Sequence, residues 1–242
     1  MMQQKVVLIT GAARGIGRYI AGTFAKEGVR LAVSDIESLD AVSIELREMG
    51  VEVLPVIADV RDEDQVSAMI RQVVDHFGRI DTLVNNAGIV THFSWSPRWP
   101  RIRDMDLGFW NNVLETNLGG TFLCTKHVLP QMQIQGSGHV INLYGGTDPK
   151  QMGTGACVYS VSKDAIRTFT GFVAEEERES NICVVAVAPG SPIATEEAPE
   201  DVRQALPGPD FVGNAFVLAS QLGMEHTGQL LQLEDDHLIV LP

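Results

Sequence analysis

Short apolar runs alternate along the chain with longer stretches of helical period. Seven runs read as strands: Lys5–Thr10, Arg30–Asp35, Val51–Ala58, Thr82–Asn85, His139–Leu143, Ile182–Ala188 and Gln229–Leu233. Helical periods occupy Gly15–Glu27, Leu39–Met49, Glu63–Phe77, a long stretch from Asp104 to Gln133, Ala156–Glu179 and Asp210–Leu222. Val6-Val7-Leu8-Ile9 and Val184-Val185-Ala186-Val187 are apolar on both faces, as strands of a parallel sheet covered by helices must be. Alternation at this spacing predicts an α/β fold, a doubly wound seven-stranded parallel sheet with helices on both faces. No Pro/Ser-rich linker or repeat divides the chain, so residues 1–242 are expected to form one domain.

Two segments break the rhythm. Residues 89–103 hold Trp95, Trp99, two prolines and three arginines, and residues 191–209 are rich in Pro, Ala and Glu. Both follow strand C-termini, the edge at which open α/β sheets bind ligands.

Composition narrows the function classes. With 242 residues and 45% apolar content the chain can bury a sizeable core. Its 18 Lys+Arg against 31 Asp+Glu leave a formal charge of −13, which argues against a nucleic-acid binder. Cys124, Cys157 and Cys183 show no CxxC spacing, so neither a disulfide framework nor a metal site is expected. The first apolar run is too short for a signal segment, and no stretch reaches the ~18–20 apolar residues of a membrane span. A soluble, cytoplasmic protein without membrane partners is the expectation.

Candidate chemistry begins in Thr10-Gly11-Ala12-Ala13-Arg14-Gly15-Ile16-Gly17, between the first strand and the first helix. Gly11 allows a tight turn, Gly15 lets backbone approach a pyrophosphate, and Gly17 permits close helix–strand packing. The helix N-terminus then offers N–H groups and a positive dipole end to phosphates. Eighteen residues after Gly17, Asp35 stands beside Ile36 at the end of the second strand. A carboxylate there accepts from adenosine ribose hydroxyls and repels a 2′-phosphate, which favours NAD over NADP. Arg14 is a complication, since a basic residue in the loop could meet that phosphate instead. Together these features make the predicted sheet Rossmann-type.

The chain resembles the short-chain dehydrogenase/reductase family over nearly its whole length. The residues that carry the resemblance are the glycine pattern at 10–17, Asp59-Val60 after the third strand and Asn85-Asn86-Ala87-Gly88 after the fourth. Asn117 in Thr116-Asn117-Leu118-Gly119-Gly120, Tyr159-Ser160-Val161-Ser162-Lys163 and Pro189-Gly190 complete it. The resemblance implies that Asp59 and Val60 flank the adenine and that Asn86, Ala87 and Gly88 line the cofactor path. It implies that Ile193 and Thr195 face the nicotinamide carboxamide, although the spacing from Pro189-Gly190 is one residue longer than the family's. Asn117 resembles the family's helix-kinking asparagine, which anchors a water leading protons to the lysine. A homodimer or homotetramer built on the long helix and the Tyr159 helix is implied as well.

Tyr159 and Lys163 also have a reading of their own. At i and i+4 they share one helix face. A tyrosine with a pKa of ~10 is a poor base at neutral pH, and a neighbouring ammonium, helped by a cationic nicotinamide, stabilises its phenolate. Lys163 can also hold the nicotinamide ribose hydroxyls.

The pattern fails at one point. The family's serine, which binds the substrate oxygen, falls on Gly145 when Val140-Ile141-Asn142-Leu143 is aligned, and on Gly146 when counted back from Tyr159. Such a donor is typically worth ~10²–10³ in rate. Thr147 or Tyr144 supplies the hydroxyl, or the substrate or a water takes its place, or little carbonyl chemistry remains.

The stretch between Thr195 and Thr227 is short by family standards, and Glu234-Asp235-Asp236 precedes an apolar tail, Leu238 to Pro242. His92, Phe93, Trp95, Arg98, Trp99, Arg101 and Arg103 either form a pocket for acidic or flat substrates or pack on the protein body or at a subunit contact. Two functions follow. One is an NAD-dependent dehydrogenase acting on a small-molecule secondary alcohol or ketone, served by Tyr159, Lys163 and Asn117; the other is an NAD(H)-binding sensor or scaffold.

Overall fold

Eight strands form one sheet in the order β3-β2-β1-β4-β5-β6-β7-β8. They are β1 (Val6–Thr10), β2 (Arg30–Asp35), β3 (Val53–Ile57), β4 (Thr82–Asn85), β5 (Gly138–Leu143), β6 (Ile182–Ala188), β7 (Leu230–Glu234) and β8 (His237–Val240). The helices are α1 (Gly15–Lys26), α2 (Asp40–Glu48), α3 (Glu63–Phe77), α4 (Leu107–Leu114), α5 (Gly120–Gln135), α6 (Pro149–Met152), α7 (Cys157–Glu176), α8 (Glu200–Arg203) and α9 (Pro209–Ala219). This computed structural model describes residues 5–90, 99–190, 193, 195, 199–204, 208–234 and 237–241.

The double winding follows from two-sided burial. β1 is buried at every position, and its side chains alternate between two cores. Val7 and Ile9 meet Phe24 of α1, Leu46 of α2 and Phe216 of α9. Val6 and Leu8 meet Met69 of α3, Val128 and Met132 of α5 and Val173 of α7. Local signals set the helix ends: Asp62 caps α3 by accepting from Gln65 N at 3.1 Å, and Gly78 closes it at φ +78°.

Two expectations are corrected. The sheet has eight strands rather than seven, because the apolar tail pairs antiparallel with β7, Leu231 opposite Val240 and Glu234 opposite His237. This gives β7 edge groups partners and half-buries Leu238 and Ile239. The long helix expected over 104–133 is also broken. A 3₁₀ turn (Ile102–Asp104) and α4 precede a π-helical stretch, Glu115–Gly119, and only then does α5 begin. Hydroxyls of Thr116 and Thr121 donate to the carbonyls of Asn112 and Asn117, each at 2.7 Å, across this widened stretch. Among the described residues no helix is long and apolar enough to cross a membrane, and no cluster of His, Cys, Asp and Glu is arranged to hold a metal ion.

Candidate active site

The order of the sheet reverses direction between β1 and β4, which opens a crevice at the strand C-termini. The predicted site segments converge on that edge. The loop after β1 has Gly11 and Gly15 at φ +66° and +57°, a region side chains disfavour. A Cβ on Gly17 would overlap the Gly11 carbonyl and the Asn86 amide. That amide fixes the loop from the other side, donating to Thr10 O at 2.9 Å and Gly11 O at 2.8 Å. Thr10 Oγ1 returns the link by accepting from the backbone N–H of Asn86 and Ala87 at 3.2 and 3.1 Å. The backbone is thus drawn tight at the start of α1, where Arg14, the residue before the helix, makes no side-chain cap bond.

Asp35 sits against this loop, its Oδ2 accepting from Ala13 N at 2.9 Å and its Oδ1 from Glu37 N at 3.2 Å. Arg14 forms an ion pair with Glu37 at 3.4 Å. Ile36, between the two acids, is exposed. The end of β3 is tied in by Ala58 N, which donates to Asp35 O at 3.0 Å. Beyond it Arg61 chelates Asp59, with Nε at 2.9 Å from Oδ1, and holds that carboxyl below its ordinary range. Val60 is buried, and the backbone of α5 comes so close that a Cβ on Gly120 would lie 2.6 Å from its Cγ2.

Asn117 lies in the π-helical stretch and is fully buried. Its Oδ1 accepts from Ile89 N at 2.7 Å, and its Nδ2 donates to Ile89 O at 3.1 Å and to Ser162 Oγ at 3.0 Å. A Cβ on Gly88 would stand 3.1 Å from Asn117 Oδ1. Ser162 in turn donates to Tyr159 O at 2.6 Å.

Tyr159 and Lys163 share the buried face of α7. Lys163 Nζ donates to Leu143 O, the last residue of β5, at 2.8 Å and lies 5.9 Å from the Tyr159 ring centroid. Burial lowers the Lys163 pKa to about 8, so the charged form still predominates at neutral pH. Tyr159 shifts against the sequence expectation. Burial first, and then the Tyr144 phenol, push its pKa up. Lys163, itself desolvated and turned to the Leu143 carbonyl, does not reverse this.

The two glycines after β5 separate by direction. A Cβ on Gly145 would overlap the Tyr159 hydroxyl, whereas one on Gly146 would lie 2.5 Å from Met152 Sδ. Tyr144 is buried, and its hydroxyl stands 2.9 Å from Thr147 Oγ1.

After β6, Gly190 turns the chain at φ +79°, and Ile193 and Thr195 are both buried, with Thr195 N donating to Ile193 O at 2.9 Å. Of the segment 89–103, Trp99 packs edge-on against Phe109 of α4 with centroids 4.8 Å apart, and Arg103 pairs with Asp104 at 3.4 Å. Arg101 is exposed, and His92, Phe93, Trp95 and Arg98 lie outside the described residues.

Sequence reasoning gave three contributors no role. Ser162, three residues after Tyr159, was visible only as a small polar residue on a helix. Glu37 and Arg61 each lie two residues beyond a predicted ligand-side Asp, and their pairing depends on loop geometry.

Residues 5–204 match the family model described as short chain dehydrogenase. The chain belongs to that family. It is 34% identical to 3-oxoacyl-(acyl-carrier-protein) reductase FabG of Staphylococcus aureus strain Mu50, over 96% of this chain and 98% of that one. It is also 34% identical to cis-4-hydroxycyclohexanecarboxylate dehydrogenase of Sinomonas cyclohexanicum, over 87% of this chain and 83% of that one. A short-chain dehydrogenase/reductase structure from Burkholderia xenovorans superposes with a TM-score of 0.84 at 29% identity, covering 96% of each chain. The protein is therefore an oxidoreductase of this nicotinamide-using family.

Proposed function

We propose that the protein moves a hydride between NAD(H) and a secondary alcohol or ketone, with Tyr159 exchanging the hydroxyl proton. The observation that carries this reading is the pairing of Tyr159 and Lys163 on one buried turn of α7, at the crevice edge beside Gly145. A bound nicotinamide supplies the hydride acceptor or donor. The chain's residues supply the rest. Gly11, Gly15, Ile16 and Gly17 carry the pyrophosphate at the α1 N-terminus, where a side chain at residue 17 would find no room. Asp59 and Val60 border the adenine, Asn86, Ala87 and Gly88 the path between the halves, and Pro189, Gly190, Ile193 and Thr195 the nicotinamide end. Lys163 holds the nicotinamide ribose and places its ammonium near the phenol. Asn117 and Ser162 fix the turn of α7 that presents Tyr159.

The preference for NAD rests on Asp35. Two carboxylates, Asp35 and Glu37, stand against one arginine at the β2 end, and Arg14 is already paired with Glu37. A 2′-phosphate placed there meets net negative charge.

One observation favours the second reading, a sensor or scaffold. The family's serine falls on Gly145 by the strand alignment or on Gly146 by the count from Tyr159, and neither offers a side-chain donor. A turnover screen with NAD and NADP decides between the two. Its panel holds cyclic, aromatic and acidic alcohols, including cis-4-hydroxycyclohexanecarboxylate, together with 3-oxoacyl thioesters. Turnover with NAD that is abolished in Tyr159→Phe, while NAD binding persists, supports the dehydrogenase. Binding without turnover across the panel supports the sensor.

A homodimer or homotetramer belongs to the same proposal. Phe122 of α5 is 46% exposed and Phe172 of α7 is 69% exposed. Phe169 packs edge-on to Phe122 at 6.5 Å, so the exposed rings form an apolar strip across both helices. Sedimentation equilibrium of Phe172→Asp against the unaltered chain tests it.

A further inference from the structure

Tyr144 follows directly on β5 and is held in an unusual setting. Its ring is packed with Ala186, Ala188 and Leu230, and Leu241 of the C-terminal segment lies against the same cluster. Two alanines on the neighbouring strand leave the volume that a phenol needs, so the ring is confined and its hydroxyl has a defined place. That hydroxyl forms a 2.9 Å bond with Thr147 Oγ1, in which either oxygen can donate. The next residue, Gly145, contributes no side chain, and the space its Cβ would take is filled by the Tyr159 hydroxyl. Tyr144 immediately precedes Gly145 in the chain, and its phenol is the second cause, after burial, that raises the Tyr159 pKa.

Reduction of a ketone builds negative charge on the substrate oxygen, and a second preorganised donor beside the proton donor lowers that barrier. Ser160 also carries a hydroxyl, but it donates to Gly146 O at 3.2 Å. Tyr144 and Thr147 carry two hydroxyl protons and spend one on each other. When Thr147 donates to Tyr144 the phenol proton is left over, and a hydroxyl that already accepts is the stronger donor.

We infer that the Tyr144–Thr147 hydroxyl pair donates the hydrogen bond to the substrate oxygen beside Tyr159, in the role that residue 145 cannot fill. The inference rests on the reading of Tyr159 as the proton-exchanging group. It makes the C-terminal segment part of the site's support, because Leu241 helps to hold the Tyr144 ring. It also changes the demands on the substrate, whose oxygen is met by two phenols rather than by a phenol and a short aliphatic hydroxyl.

The test uses the full chain with NAD⁺ and the variants Tyr144→Phe, Thr147→Val, their double and Tyr159→Phe. Binding of 2,2,2-trifluoroethanol, followed by ¹⁹F NMR, reports the hydrogen bond at the reacting oxygen without turnover. Loss of a hydrogen bond worth about 1.4 kcal/mol corresponds to a tenfold change, so Tyr144→Phe is expected to weaken trifluoroethanol binding by about tenfold or more. On any alcohol that turns over, its kcat falls roughly 10²-fold, with NAD affinity and thermal midpoint unchanged. Thr147→Val, which leaves the ring in place, moves both readouts in the same direction by less, and the double variant is no worse than Tyr144→Phe alone. Equal trifluoroethanol affinity in Tyr144→Phe and the unaltered chain, including no binding by either, overturns the inference. Full kcat in Tyr144→Phe beside a dead Tyr159→Phe overturns it while sparing the function on which it rests. Retained turnover in Tyr159→Phe overturns both.

Discussion

The Asn117 amide donates to the Ser162 hydroxyl at 3.0 Å, and that hydroxyl donates onward to the Tyr159 carbonyl at 2.6 Å. A π-helical stretch on one element is thereby tied to the α7 turn that carries Tyr159 and Lys163. Both linking side chains are fully buried, so removing one partner leaves the other's polar group without water. Ser162→Ala should lower the unfolding free energy by about 1–3 kcal/mol, the cost of one buried unpaired group. The same variant should reduce kcat more than NAD affinity, because it loosens the α7 turn rather than the glycine loop. Urea unfolding alongside steady-state kinetics checks both, and an unchanged unfolding midpoint contradicts the argument.

Much of this architecture was legible from residue patterning. Arg30–Asp35, Thr82–Asn85, Ile182–Ala188 and Glu63–Phe77 coincide in full with β2, β4, β6 and α3, where burial on both faces or strong caps leave one solution. Three features were not legible, each for a physical reason. The pairing of β8 is decided by the free edge of β7, which local sequence does not contain. The π-helical stretch at Glu115–Gly119 adds one residue to a turn without disturbing the apolar period around it. Strand alignment and loop counting disagreed over Gly145 and Gly146. Only the direction of the missing Cβ, towards the Tyr159 hydroxyl for one and Met152 for the other, separates them.

That direction yields a prediction against intuition. A serine at residue 145, where the strand alignment places the family's, should not improve the enzyme. A Cβ there would overlap the Tyr159 hydroxyl, so Gly145→Ser must displace the phenol or the backbone after β5. We expect kcat to fall by at least about tenfold, the cost of a misplaced reacting group. Steady-state kinetics of Gly145→Ser decide it, and a kcat above that of the unaltered chain contradicts the packing argument.

Lys163 gives a pH dependence whose sign is set by its burial. Its pKa is about 8 in the folded protein, against ~10.4 for a free lysine side chain. Below pH 8 both states are protonated, and the folded state bears the full cost of the desolvated charge. Between about 8 and 10.4 the folded lysine releases its proton while the unfolded one keeps it, so this contribution to stability rises with pH and then levels. Lys163→Met carries no such term. Its stability relative to the unaltered chain should therefore be greatest near pH 7 and decline towards pH 10. Urea unfolding of both proteins at pH 7, 8, 9 and 10 provides the measurement, and a constant difference would refute the assigned shift.

Cofactor choice can be separated into charge and geometry at the end of β2. On the proposed NAD reading Asp35 performs two tasks: its Oδ2 accepts from Ala13 N at 2.9 Å, and its charge, with that of Glu37, would oppose a 2′-phosphate. Asp35→Asn keeps an acceptor for Ala13 and removes the charge, so the loop should retain its shape. Glu37→Gln removes the anion that pairs with Arg14 at 3.4 Å. An exposed charge pair is worth little alone, at most ~1 kcal/mol, so Glu37→Gln by itself should shift the preference only a few-fold. The double variant removes both carboxylate charges at the end of β2. Its NADP-to-NAD ratio of kcat/KM should rise by about 10²-fold, corresponding to ~2.8 kcal/mol at 1.4 kcal/mol per decade. Titration of both nucleotides by protein fluorescence gives the same ratio independently of any substrate. A double variant that still rejects NADP to the same degree would place the discrimination in the shape of the loop at 11–17 rather than in the carboxylates.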